Sequence, residues 1–345
     1  MKRLECDPPS AGQMKALADD LYWIRFTLPF RLNHINLYAF DTDDGWLLLD
    51  CGINTDDTAA QWKAMLDSPL SDKPIAGVIV SHHHADHIGY AGRLCKITGA
   101  PLYMGAVEHE MASWALGQSA TAFGNCAAAA YDNFGLDADT VQRTRDVGNY
   151  YRSLVGDIPP VTIIESGHEF QTKAGRFTVR FDAGHSPGHM SLTDHARKIY
   201  VGVDFLLPRI SPNISVSIRT PDDDVLAHYF AYLNSMTGLT DDWLIISGHD
   251  WPYYGGGERA TQLIEHHENR LARLLPQTNS SLVGSSLPMT TAAAMDTLFP
   301  FELTDHEVFF ASCEARAHLN HLVTRGMMTR SMNEERAIFT PVAHS

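Results

Sequence analysis

Hydrophobic and polar positions divide this chain into alternating strand-like and helix-like stretches. Three β-branched and aromatic runs, Leu21–Leu28, Ile35–Phe40 and Gly45–Asp50, are separated by turn-like segments and predict an antiparallel meander. A helix from about Asp56 to Leu66 follows, then the apolar run Ile75–Val80, which reads as a buried strand. Ile88 to Ile97 reads as a helix and Pro101–Met104 as a short strand, giving a strand-helix-strand unit. The region from Ala106 to about Leu154 reads as a helical insertion. Strand patterns return at Val161–Ile164, Phe177–Phe181, Lys198–Val203 and Trp243–Ile246. Arg259 to Leu275 predicts a charged amphipathic helix with Glu265, His266, His267, Glu268 and Arg270 on a solvated face. Gln277–Ser286 is polar and reads as a linker; Met289–Leu298 and Asp305–Arg325 follow as helices, and Ala337–Thr340 as a terminal strand. The pattern predicts a large domain over residues 1–276, with the insertion at about 106–154, and a small, mostly helical appendage over 277–345.

Composition narrows the class. With 44% hydrophobic and 19% charged residues the chain belongs among soluble globular proteins. No apolar run reaches membrane-spanning length, and Met1–Pro9 has basic residues without an apolar stretch behind them, so the expectation is a cytoplasmic protein with no membrane association. A net charge of −15 opposes attraction to phosphate backbones and disfavours nucleic acid as a partner. The five cysteines are odd in number, widely spread and without a C-x-x-C pair, as expected of reduced thiols.

Candidate chemistry begins where the Ile75–Val80 strand stops. Ser81–Gly89 offers His82, His84, Asp86 and His87 within six residues, more nitrogen and carboxylate than one tetrahedral metal needs. In a strand-to-helix loop, residues two apart can both turn inward, whereas on an α-helix they cannot. Other strand ends add His185, Asp204 and His249. Five imidazoles and two carboxylates suit two divalent ions, zinc by default, with iron or manganese as alternatives. Asp50, at the end of the third early strand, reads on its own as a turn or cap residue.

The pattern His82-x-His84-x-Asp86-His87, Gly184-His185, Gly202-Val203-Asp204, Gly248-His249 resembles the metallo-β-lactamase superfamily, in that family's order, over roughly Tyr22 to Leu275. The resemblance implies an α+β fold, a four-layer αββα sandwich with a binuclear site at one edge. It implies that His82, His84 and His185 hold one ion, that Asp86, His87 and His249 hold the other, and that Asp204 bridges. Asp50-Cys51-Gly52 stands where the family has Asp-x-Gly, commonly with Thr in the middle, so Asp50 is expected to orient a ligating imidazole through its other nitrogen. The appendage resembles the winged-helix-like domains found on some superfamily hydrolases and is expected to act as a pocket lid or dimer element, which leaves a homodimer open.

Two ions would lower the pKa of a bridging water and generate hydroxide at neutral pH, so a metal-dependent hydrolase, zinc-dependent by default, is the expected activity. Asp86 is expected to shuttle the proton. Asp204 sets the chain apart from the true β-lactamases and looks like the glyoxalase II, lactonase and thioesterase branches. A thioester such as an acyl-CoA is the expected substrate, with a lactone the rival. Endoribonuclease or phosphodiesterase activity and a non-catalytic binder rank below both. Substrate-pocket candidates are His189, Arg209, Asn213, Tyr253 and Tyr254.

Overall fold

The computed structural model describes residues 1–275 and 287–342; the linker expected at Gln277–Ser286 lies outside them. The strands in chain order are β1 (Lys2–Arg3), β2 (Lys15–Ala18), β3 (Leu21–Thr27), β4 (His34–Thr42), β5 (Gly45–Leu49), β6 (Ile75–Ile79), β7 (Leu102–Gly105) and β8 (Val161–Ile164). They continue as β9 (Glu169–Gln171), β10 (Arg176–Asp182), β11 (His189–Asp194), β12 (Ile199–Val203), β13 (Leu244–Ser247), β14 (Tyr253–Tyr254), β15 (Met328–Asn333) and β16 (Arg336–Pro341). By their contacts the described residues form two compact units interleaved in sequence: residues 1–117, 150–212 and 236–260 form the first, and residues 118–149, 213–235 and 261 onward the second.

The first unit holds two seven-stranded sheets, ordered β2-β3-β4-β5-β6-β7-β8 and β1-β14-β13-β12-β11-β10-β9. The predicted meander is present as β3-β4-β5, antiparallel throughout, and β5 to β8 then run parallel. In the second sheet only the β12–β13 pair is parallel. Alternate residues of both sheets, among them Trp23, Tyr38, Leu49, Phe177, Val201 and Ile246, meet in a buried core. The opposite face of the first sheet, with Ile24, Leu48 and Val78, packs on Trp62 and Met65 of the helix Asp56–Asp67 and Leu94 of the helix Ala91–Thr98. On the far side of the second sheet, the helix Gly256–Leu274 starts against β13, where a Cβ on Gly256 would stand 2.7 Å from Ile245 Cδ1. The order of layers is helix, sheet, sheet, helix, as expected.

The helical insertion is four helices, Ala106–Gly117, Ala120–Phe134, Ala138–Val147 and Tyr151–Leu154. The second unit contains the middle two of them together with the helices Thr291–Leu298 and Asp305–Thr324 and the antiparallel hairpin β15–β16. Here the solvated face expected on the Gly256–Leu274 helix is corrected. His267 is fully buried, its Nδ1 3.1 Å from His318 Nε2, and Arg270 donates to the buried Glu314 carboxylate at 2.5 Å. These groups pair with one another because burial without a partner would be costly.

Candidate metal centre

The candidate ligands lie in the segments that follow strand ends, and the backbone is bent sharply at several of those ends. Asp50, Val203 and Asp250 have φ of 63°, 43° and 63°, the left-handed region that a β-branched residue such as Val203 enters only under constraint. Val203 turns the chain so that Asp204 leaves β12 toward the site, and a Cβ on Gly248 would stand 2.1 Å from Asp204 Oδ1. Only glycine fits at position 248.

The His82–His87 segment differs from the loop expected. His84 caps a short helix, Ala85–Ile88, so Asp86 and His87 occupy a helical turn three residues earlier than the predicted helix start. The turn is seated by Gly89, whose Cβ would lie 2.4 Å from Ala85 O and 2.5 Å from Leu154 O. His82 and His84 still turn to the same side, because they precede that turn.

The seven side chains converge. His82, His84 and His185 form one group, Asp86, His87 and His249 another, and Asp204 joins His82 and His87 in a third, with ligand atoms in each group within 4.8 Å of one another. Asp204 Oδ2 lies 3.4, 3.6 and 3.3 Å from Nε2 of His87, His185 and His249. Asp86 Oδ2 lies 3.6 and 3.5 Å from Nε2 of His87 and His249. His82 Nε2 and His84 Nδ1 are 3.0 Å apart. Tetrahedral zinc with ligands at about 2.0–2.1 Å sets its ligand atoms roughly 3.3 Å apart, so the spacing fits. His87 Nε2 and Asp204 Oδ1 are buried with no hydrogen-bond partner among the described residues, as ligand atoms would be.

The remaining nitrogens are tied down. His87 Nδ1 donates to Asp50 Oδ2 at 2.8 Å and His249 Nδ1 to the His34 carbonyl at 2.8 Å, so in each ring Nε2 is the nitrogen that faces the cluster and would give up its proton to an ion. Asp50 also accepts from Ser81 N and Ser81 Oγ, both at 2.8 Å. Burial, and then the neighbouring imidazoles, push His82 and His84 well below the ordinary histidine range, so both are neutral. Burial opposes charge on His87 too, but Asp86, Asp204 and Asp50 outweigh it and raise that ring well above its ordinary value. The histidines hold Asp204 well below the usual carboxylate range against the effect of burial.

The pocket candidates fare differently. His189 is buried behind the ligands, its ring 4.7 Å from His82 and its Nε2 accepting from Asp204 N at 3.3 Å; burial pushes it down to about 3. Tyr253 is buried and donates to the Leu206 carbonyl at 3.1 Å, and Tyr254 packs against the core between the sheets. Asn213 belongs to the second unit, where it donates to Glu314 at 2.9 Å. Arg209 is 61% exposed and pairs with Asp250 at 2.9 Å, beside His249. Cys51 is buried with its thiol pushed up by burial, which suits a structural residue.

Several supporting residues escaped the sequence reading. Tyr38 and Asn36 of the first sheet donate to the Ser247 carbonyl of the second at 2.6 and 2.9 Å, holding the His249 turn. Arg259 donates to the Leu207 and Ile210 carbonyls at 2.7 and 2.9 Å, fixing the segment after Asp204. Glu108, in a segment read only as insertion, is fully buried; burial opposes its ionisation, but His83 and the bonds it accepts hold it at about 2.

Comparison with known proteins agrees with this geometry. A family profile described as "Metallo-beta-lactamase superfamily" matches residues 31–249, and one described as "Metallo-beta-lactamase-like, C-terminal domain" matches residues 282–340. The crystal structure of a beta-lactamase domain protein from Burkholderia ambifaria is similar at 29% identity and TM-score 0.87, covering 99% of this chain and 98% of that one. A metallo-beta-lactamase family protein from Thermus thermophilus shares the fold at 23% identity and TM-score 0.76, covering 95% and 100% of the two chains. An uncharacterized protein of Aquifex aeolicus (strain VF5) is 22% identical over 207 residues, 59% of this chain and 81% of its own length. With its profile match, its two-sheet fold and its strand-end histidines and aspartates, the chain belongs to the metallo-beta-lactamase superfamily.

Proposed function

We propose that the protein is a binuclear-metal hydrolase of a carboxyl-type bond, with a thioester as substrate and zinc as the metal. The observation that carries the two-ion reading is Asp204, whose Oδ2 faces His185 of one ligand group and His87 and His249 of the other at 3.3 to 3.6 Å. Ions held by the two groups would supply Lewis-acid polarisation of a carbonyl and hydroxide at neutral pH. The chain's own residues do the rest. Asp50 and the His34 carbonyl keep His87 and His249 in the tautomer that presents Nε2. Asp86, 22% exposed at its side chain, is the carboxylate open to solvent, and in this reading it receives the proton released by the attacking water.

The thioester preference rests on the site's rim. Arg209 lies over Trp251 at 5.9 Å, beside the His249 turn, and combines a cation with an aromatic face suited to an acyl substrate that carries an anionic group. The zinc-loaded protein is expected to hydrolyse acyl-thioesters in a panel that also holds lactones, phosphodiesters and RNA, with His84→Ala abolishing turnover. Lactone opening without thioester cleavage would overturn the substrate choice. Hydrolysis of nothing in the panel, together with a biological effect that survives Asp204→Ala, would favour a binder.

A further inference from the structure

Helix Ala106–Gly117 begins directly after β7, and its third residue, Glu108, is a fully buried carboxylate that the hydrolytic reading does not use. Glu108 Oε2 accepts from the backbone N of His83 at 2.8 Å and from its ring Nδ1 at 2.5 Å. Oε1 accepts from Ser186 Oγ at 2.7 Å and from Gly188 N at 2.6 Å. His83 lies between two candidate ligands, His82 and His84, and Ser186 follows a third, His185. One carboxylate thus grips both segments that carry the three-histidine group. His83 is held from the other side as well, because Tyr151 Oη donates to its carbonyl at 2.6 Å.

We infer that Glu108 is a positioning residue: it sets the separation of His82 and His84 from His185 and so determines how tightly that half of the centre holds its ion. The inference rests on the two-ion reading above. A charged acceptor with four donors around it fixes its neighbours more strongly than a neutral contact does, since each bond to a carboxylate is charge-assisted and a displaced donor would be buried without a partner. The other half takes its orientation elsewhere, from Asp50 at His87 and from the His34 carbonyl at His249. A clamp that served the fold alone would, when lost, weaken both halves. A positioning residue weakens one.

The test adds cobalt(II) to the metal-free full-length chain and follows calorimetry and the visible absorption of the bound ion. The wild type is expected to take two ions. Glu108→Gln keeps an amide oxygen for Ser186 and Gly188 but turns an NH2 toward the His83 N–H. It should lower affinity for one ion by about 10- to 100-fold, leave the other unchanged and alter one of two absorption signatures. Ser186→Ala and His83→Ala each remove one bond and keep the buried carboxylate. They should weaken the same ion by a smaller factor, and they decide the matter if Glu108→Gln does not fold. Unchanged binding of both ions in the variants, or equal weakening of both, would overturn the inference while the two-ion reading stands. A wild type that takes no cobalt would overturn that reading instead.

Discussion

Asp50 shows how much of the centre depends on a residue that never needs to touch an ion. Its carboxylate is buried and accepts three hydrogen bonds, from Ser81 N, Ser81 Oγ and His87 Nδ1. Asp50→Ala leaves these donors facing a void, at about 1–3 kcal/mol for each donor left unpaired, and frees the His87 ring to turn. The variant is expected to unfold at lower urea concentration even without metal and to bind cobalt about 10- to 100-fold more weakly; an unchanged urea midpoint would count against this account. The ligands were legible in the sequence because their spacing and their places after apolar runs are local properties. Glu108 was not legible: it sits in an apolar helix, and its partners at His83, Ser186 and Gly188 become neighbours only when β7 pairs beside β6 and the second sheet closes over the first. Tyr253 and Tyr254 are neighbours in sequence that part in the fold: on β14, paired with β13, successive side chains face opposite sides, so Tyr254 packs toward the core between the sheets while Tyr253 reaches the Leu206 carbonyl.

At the scale of elements, several long periodic segments were read closely, while the helix Val225–Met236, β11, β15 and the shortest strands were missed. The meander, the Asp56–Asp67 helix and the Asp305–Thr324 helix carry enough residues to display their period. β1, β9 and β14 have two or three residues each and take their structure from the neighbouring strand, which leaves no pattern to read. His267 reads as solvated because charged neighbours surround it in sequence; its actual partners, His318 and Glu314, lie on another helix. That helix, Asp305–Thr324, also carries a complete capping box, with Thr304 Oγ1 accepting from Glu307 N and Glu307 Oε2 accepting from Thr304 N. Thr304→Ala is expected to cost about 1 kcal/mol in denaturant unfolding while hydrolysis by the metal-loaded enzyme stays at the wild-type rate. A fall in rate at saturating substrate would show that this helix bears on the chemistry.

For the first unit as a whole, the two sheets supply the ligands in nearly equal parts. His82, His84, Asp86 and His87 follow β6 of one sheet, and His185, Asp204 and His249 follow β10, β12 and β13 of the other. Among the described residues no helix is long and apolar enough to cross a membrane. Chelation should lower the melting temperature: free ion at 100 times its dissociation constant contributes about 2.7 kcal/mol, which for a chain of 345 residues corresponds to a drop of about 4 °C in calorimetry. Equal melting of loaded and chelated protein would mean that the folded chain does not hold the ions. The left-handed backbone at Asp50, Val203 and Asp250 gives this bridge a dynamic side. Ions held at these strand ends would tie the turns together, so amide hydrogen exchange around these three residues should slow on loading. On this expectation the edge that holds the metals closes like a latch, and exchange at these turns reports whether it is shut.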